Sequence, residues 1–155
     1  MNNDSNRTLR EMVILVAEDD DGHACLIERN LTRSGLHNPF IRFGNGQQVI
    51  DYLFCAGPGP HREPSAAYLL LLDIRMPQVD GVEVLRRVKE HPELRKIPVI
   101  MLTTTDDPRE VERCHLLGCS SYIVKPVDYG KFAESIRNMG LFISLVELPE
   151  IAGQG

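Results

Sequence analysis

Apolar and polar positions fall into alternating blocks along this chain, and the blocks follow two different periods. Val13–Ala17 is an unbroken apolar run, the pattern of a strand covered on both faces. Residues 22–34 read as a helix that stops before Gly35. A short strand at Phe40–Phe43 leads through Gly44-Asn45-Gly46 to a helix at about 47–54. Residues 55–66 hold three prolines and two glycines and therefore form a loop. Tyr68–Leu72 is a third buried strand, and Leu85 and Val88 sit at helical spacing within residues 82–91. Pro98 opens a fourth strand, Val99–Leu102. Asp107 caps the next helix, with Pro108 at its first position and Glu110 three residues after the cap. Ser121–Val124 is the fifth strand, and Asp128 caps a last helix running to about Val146.

Five strand-then-helix units with short connections predict an α/β protein: a doubly wound, five-stranded parallel sheet with helices on both faces. The alternation leaves the strand order open between a flavodoxin-like and a Rossmann-like arrangement. Residues 1–11 are expected to be a flexible tail, 12–149 one domain with an extended C-terminal helix, and 150–155 a second flexible tail. The last helix carries Phe132, Ile136, Met139, Ile143 and Val146 at spacings of 4, 3, 4 and 3, a continuous apolar stripe. Its distal apolar residues outrun a five-residue strand, so Phe142, Leu145 and Val146 are expected to form a homodimer interface.

Composition narrows the function classes. The 155 residues suit one domain, and 43% hydrophobic content is enough for one core. A net charge of −5 with no Lys/Arg stripe argues against a nucleic-acid partner. The apolar runs are too short to span a bilayer, and the polar start Met1-Asn2-Asn3-Asp4 does not have the layout of a signal peptide. The expected location is the cytoplasm. Cys25, Cys55, Cys114 and Cys119 form no Cys-x-x-Cys pair and are read as reduced structural thiols.

In an open α/β sheet, ligands bind beyond the carboxyl ends of the strands. Here the first strand runs into Glu18-Asp19-Asp20-Asp21, the third into Asp73, the fourth into Thr103 and the fifth into Lys125. Each residue alone has an ordinary reading, such as a helix cap or a turn. Asp20 and Asp21 keep that reading as residues favouring the start of the first helix. The set at four strand ends points instead to phosphoryl chemistry. Carboxylate oxygens suit Mg²⁺, a lysine and a threonine can hold phosphoryl oxygens, and an aspartate can be the acceptor.

These residues also resemble a known family. Asp73-Ile74-Arg75-Met76-Pro77-Gln78-Val79-Asp80-Gly81 is similar to the Asp-x-x-Met-Pro-x-x-Asp-Gly phosphoacceptor motif of response-regulator (chemotaxis-Y-like) receiver domains. Glu18-Asp19 resembles the family's acidic pair, Thr103 its hydroxyl, and Lys125-Pro126 its Lys-Pro signature. The resemblance spans roughly residues 12–146. It implies a flavodoxin-like (βα)₅ receiver fold, with Asp73 accepting a phosphoryl group from a histidine kinase. Asp19, Asp73 and the backbone carbonyl of Arg75 would bind Mg²⁺ directly, and Glu18 would act mainly through metal-bound water. Lys125 and Thr103 would hold the phosphoryl oxygens. Thr103 and Tyr122 would form the switch, and the bond before Pro126 would be cis. A narrower resemblance, to single-domain response regulators of bacterial phytochrome kinases, rests on four features: Leu102-Thr103-Thr104, Lys125-Pro126-Val127-Asp128, the loop at 55–66 and Leu148-Pro149.

Two rival classes fit less well. An Mg²⁺ phosphatase with an Asp nucleophile needs a second Asp two residues on, where this chain has Arg75. A flavin binder needs a phosphate-cradling loop after the first strand, where four acids would repel phosphate. The expectation is a stand-alone, non-enzymatic phospho-switch. Its output, with no DNA-binding segment in view after residue 150, is contact with another protein.

Overall fold

The computed structural model describes residues 12–143 and 149–152. Its elements are β1 (Val13–Ala17), α1 (Asp21–Arg33), β2 (Phe40–Phe43), α2 (Gly46–Leu53), β3 (Tyr68–Leu72), α3 (Gly81–Glu90), β4 (Val99–Thr103), α4 (Pro108–Leu117), β5 (Ser121–Val124) and α5 (Tyr129–Ile143). A 3₁₀ turn at Leu94–Lys96, not anticipated from the sequence, precedes β4. The five strands form one parallel sheet in the order β2-β1-β3-β4-β5. That order is flavodoxin-like, as the family resemblance implied, and settles the alternative that the alternation of elements left open.

Alternation along the strands divides the core into two layers. Leu15 and Ala17 of β1 face one way, with Leu70 and Leu72 of β3, and pack on α2, α3 and α4 through Val49, Leu53, Leu85, Val88 and Cys114. Ile14 and Val16 face the other way and pack on α1 and α5 through Ile27, Leu31, Phe132, Ile136, Met139 and Ile143. The predicted stripe on the last helix is therefore core-facing as far as Ile143. Leu141 and Phe142 lie exposed on its other side, and Leu145 and Val146 lie outside the described residues.

The helices start where their capping residues stand. Asp20, Asn45 and Asp80 each accept from the backbone N–H three residues on, and Asp107 accepts from Arg109. Gly118, with φ +105°, closes α4 in the left-handed region that disfavours other residues. All four cysteines are free thiols.

The C-terminal segment departs from the expected flexible tail. Ala67 and Glu150 form an antiparallel bridge, Ser65 N donates to Ile151 O at 2.9 Å, and Ile151 N donates to Ala66 O at 3.1 Å. Ile151 is fully buried, a burial that contributes roughly 2 kcal/mol for one side chain of this size. Arg62, itself buried, ties the proline-rich loop to this segment through Leu53 O and Ala152 O. One large apolar residue between Glu150 and Ala152, with Pro149 and Gly153 on either side, has no period, so the sequence carried no sign that Ile151 would dock.

Candidate functional site

The parallel register brings the predicted chemistry to one edge of the sheet. Ala17 pairs with Leu72, so Glu18 and Asp19 emerge beside Asp73, whose N–H donates to Ala17 O at 3.0 Å. Thr103 pairs with Val124, and Lys125 N donates to Thr103 O at 2.7 Å. The Asp73 loop is seated by close backbone contact. Gly81 N donates to Ile74 O at 2.7 Å, and a Cβ on Gly81 would stand 1.9 Å from Asp73 O. A Cβ on Gly46 would meet Val79 O at 1.8 Å. Gly81 closes the motif and Gly46 opens α2, and both are demanded by backbone contact rather than by a turn, which the sequence alone does not signal.

One carboxylate oxygen each from Glu18, Asp19 and Asp73 lie within 4.8 Å of one another. Asp19 is exposed, whereas Glu18 and Asp73 are buried, 2% and 7% exposed. Lys125, also buried, donates from Nζ to Glu18 Oε2 at 2.5 Å and to Asp73 Oδ2 at 3.0 Å. The cluster thus holds three carboxylates and one ammonium, which contacts two of them. Burying like charges is costly unless a cation joins them. An all-oxygen donor set with surplus negative charge fits a hard divalent cation such as Mg²⁺.

Burial, reinforced by the charge of Asp73 and opposed by Lys125, pushes the Glu18 carboxyl up to about 7 from an ordinary 4.5. Between these values the folded chain holds a proton that the unfolded chain has released. Stability linked to Glu18 is therefore full below pH 4.5, falls as pH rises towards 7 and is flat above it. Denaturant unfolding in chelator should show this decline in the wild type, and Glu18→Gln should remove it. Equal pH dependence in the two proteins would exclude Glu18 as its source.

Other predicted residues take the following places. Thr103 is fully buried, with Oγ1 3.4 Å from Thr105 N. Tyr122 is half-buried, and its hydroxyl donates to Thr105 O at 2.7 Å, tying β5 to the loop after β4. Burial also pushes the Tyr122 phenol up to about 12. Arg75 is exposed on the loop after Asp73. Asp20 is the α1 cap and Asp21 is the acid of its first turn, the ordinary roles expected of them; Asp21 also pairs with Arg42 at 2.5 Å, which was not expected. The cis bond expected before Pro126 is not found, since no described peptide bond is cis. Trans is the intrinsic preference by about 0.5–1 kcal/mol, and Lys125 reaches both carboxylates in that form.

One residue at the site escaped the sequence reading. His23, in the first turn of α1, places Nδ1 3.0 Å from Lys125 Nζ and 3.9 Å from Glu18 Oε1. Only its position three residues after the Asp20 cap hinted that it would face the strand ends.

The molecule is thus a flavodoxin-like α/β protein with an acidic cluster around a buried lysine at the carboxyl edge of a β2-β1-β3-β4-β5 sheet. The response regulator receiver domain matches residues 14–137, and the chain belongs to that family. A crystal structure of a response regulator receiver domain from Rhodospirillum rubrum is 45% identical, with a TM-score of 0.85, covering 91% of this chain and 99% of that one. Response regulator Rcp1, a protein of Synechocystis, is 28% identical over 88% of this chain, and its Mn²⁺-bound crystal structure matches with a TM-score of 0.79, covering 98% of that chain. The bacteriophytochrome response regulator RtBRR is 38% identical, with a TM-score of 0.67, over 83% of this chain and 76% of that one. These relatives support the narrower resemblance to phytochrome-associated regulators. The protein is a receiver-domain response regulator of two-component signalling.

Proposed function

We propose that this receiver is switched by Mg²⁺-dependent phosphorylation of Asp73, with a sensor histidine kinase as donor. The observation that carries the reading is the Glu18–Asp19–Asp73 cluster gathered around the buried Lys125. In the transfer, an Asp73 carboxylate oxygen forms a bond to phosphorus as the bond to the donor histidine nitrogen breaks, and the imidazole leaves. Lys125 and Thr103 hold phosphoryl oxygens. Little else is required, because positioning and charge stabilisation dominate such transfers. Glu18, Asp19, Asp73 and the Arg75 carbonyl would hold Mg²⁺, which neutralises developing charge on the phosphoryl oxygens. Thr103 and Tyr122 then bias two conformations of the domain towards the one that binds its target.

Asp19 offers the cleanest test because it is exposed and its loss spares the core. Asp19→Asn should weaken Mg²⁺ binding by roughly tenfold in calorimetry, about 1.4 kcal/mol for one charged ligand. Unchanged affinity would remove Asp19 from the site.

The donor class is supported by the bacteriophytochrome response regulators among the relatives, and a phytochrome kinase is the partner we assign. The chain is read as a cytoplasmic signalling protein whose output is contact with a downstream protein rather than catalysis of its own. No described helix is long and apolar enough to cross a membrane.

A homodimer completes the reading. Leu141 and Phe142 are 55% and 64% exposed on α5, where paired apolar side chains favour an interface. Phe142→Asp should shift sedimentation towards monomer, and wild-type protein that is monomeric with and without beryllofluoride would overturn the dimer.

A further inference from the structure

Lys125 Nζ carries three protons and has three acceptors. Two are the carboxylates of Glu18 and Asp73, and the third is His23 Nδ1 at 3.0 Å. An ammonium group can only donate, so Nδ1 accepts and the ring proton sits on Nε2. The three bonds differ in what threatens them. Both carboxylates belong to the acidic cluster that would hold a divalent cation, and Asp73 is also the proposed acceptor. A cation there competes with the ammonium for the same oxygens and repels it. The imidazole nitrogen is neutral and stands outside that carboxylate set.

The imidazole is also well held. His23 N donates to the Asp20 cap at 2.9 Å, which sets the first turn of α1. The ring packs edge-on against Phe132 at 5.6 Å and Tyr129 at 6.4 Å, both on α5. Phe132 is fully buried in the layer between the sheet and α1, so the ring cannot swing inwards. Its remaining exposure, 23% of the side chain, lies on the outer side.

We infer that His23 is a positioning residue for phosphoryl transfer: it fixes Lys125 Nζ beside Asp73 when the carboxylates turn to the metal. The inference rests on the phosphorylation reading above and assigns a role within it. Asparagine can offer an acceptor oxygen, Oδ1 on Cγ, where Nδ1 stands, whereas leucine fills similar space and offers none.

The experiment compares wild type, His23→Leu and His23→Asn. Maximal phosphorylation rate by acetyl phosphate should fall roughly tenfold in His23→Leu, the scale of one lost hydrogen bond to a charged group, and return to within about twofold in His23→Asn. Magnesium affinity by calorimetry should stay within about twofold in both variants. In the metal-free protein, the NMR signal of the Lys125 ammonium should exchange faster with water in His23→Leu and not in His23→Asn. Equal rates in all three proteins would overturn the inference. So would equal slowing in both variants, which marks a packing role, or a parallel loss of magnesium affinity, which marks a ligand role. Asp73→Asn runs alongside: phosphorylation that persists in it refutes the acceptor assignment and leaves the Lys125 ammonium measurement to judge His23 separately.

Discussion

Asp73→Asn is expected to abolish phosphorylation by acetyl phosphate while leaving the fold intact. The substitution exchanges one oxygen for nitrogen, and an amide is not a nucleophile towards phosphorus. Removing a nucleophile that acts with its neighbours as a unit costs at least roughly 10³-fold in rate. The fold should tolerate the change because Asp73 is one of two buried carboxylates crowded against a single ammonium. With Asp73 neutral, Lys125 keeps Glu18 as its counter-ion and the repulsion between the two acids is gone. The thermal midpoint in chelator should therefore stay level or rise. Intact-mass measurement after acetyl phosphate treatment reads the first effect and a melting curve reads the second. A phosphoryl-sized mass gain at the wild-type rate would show that another residue is the acceptor. A steep fall in the midpoint would instead show that the loss of phosphorylation came from damage to the fold.

Gly81→Ala should be the most destabilising small substitution at the site. The added Cβ would lie 1.9 Å from Asp73 O, 2.7 Å from Asp73 C and 2.8 Å from Ile74 Cα. All three are backbone atoms, which cannot rotate away as a side chain can. Relief requires moving either the start of α3 or the Asp73 loop, and the Gly81–Ile74 hydrogen bond at 2.7 Å opposes both movements. The cost is expected to be about 3 kcal/mol or more, the upper end for overpacking. The same displacement would move Asp73, so phosphorylation should slow in whatever protein remains folded. Gly59→Ala is the control, because nothing lies within 4 Å of its Cβ position and its effect should stay within about 0.5 kcal/mol. Equal denaturation midpoints for the two variants would rule out the steric account.

The helix caps and strand ends show how much was legible beforehand. A capping carboxylate acts on a backbone N–H two or three residues away, so Asp107 with Pro108 marked α4 correctly. The apolar runs of β1, β3 and β4 announced buried strands because each is covered on both faces. Where a residue lay just past such a run, its edge of the sheet followed from strand direction alone. That is why Glu18, Asp73, Thr103 and Lys125 could be placed together before any coordinates, although their mutual distances could not.

The features that escaped depend on how elements dock. Strand order is a choice among topologies with identical local patterns, so the elements left it open and only the family resemblance implied the flavodoxin-like order. His23 lies in the first turn of a helix, where facing Lys125 or solvent depends on the rotation of α1 against α5. That rotation is fixed by packing among Ile27, Leu31, Phe132 and Ile136, and by Asn30 accepting from Arg137 at 2.9 Å. Ile151 docks because the Ser65 N–H and the Ala66 carbonyl, just before β3, are open to pair with a passing chain, a condition invisible in its own neighbours. By itself, then, the sequence determined the periodic elements, their caps and the chemical character of one sheet edge, because these rest on interactions within a few residues. The strand order lay outside the pattern of elements and was implied only by the family resemblance. The tertiary structure alone decided the third partner of Lys125 and the docking of the C-terminal segment, because each rests on contacts between residues far apart in the chain.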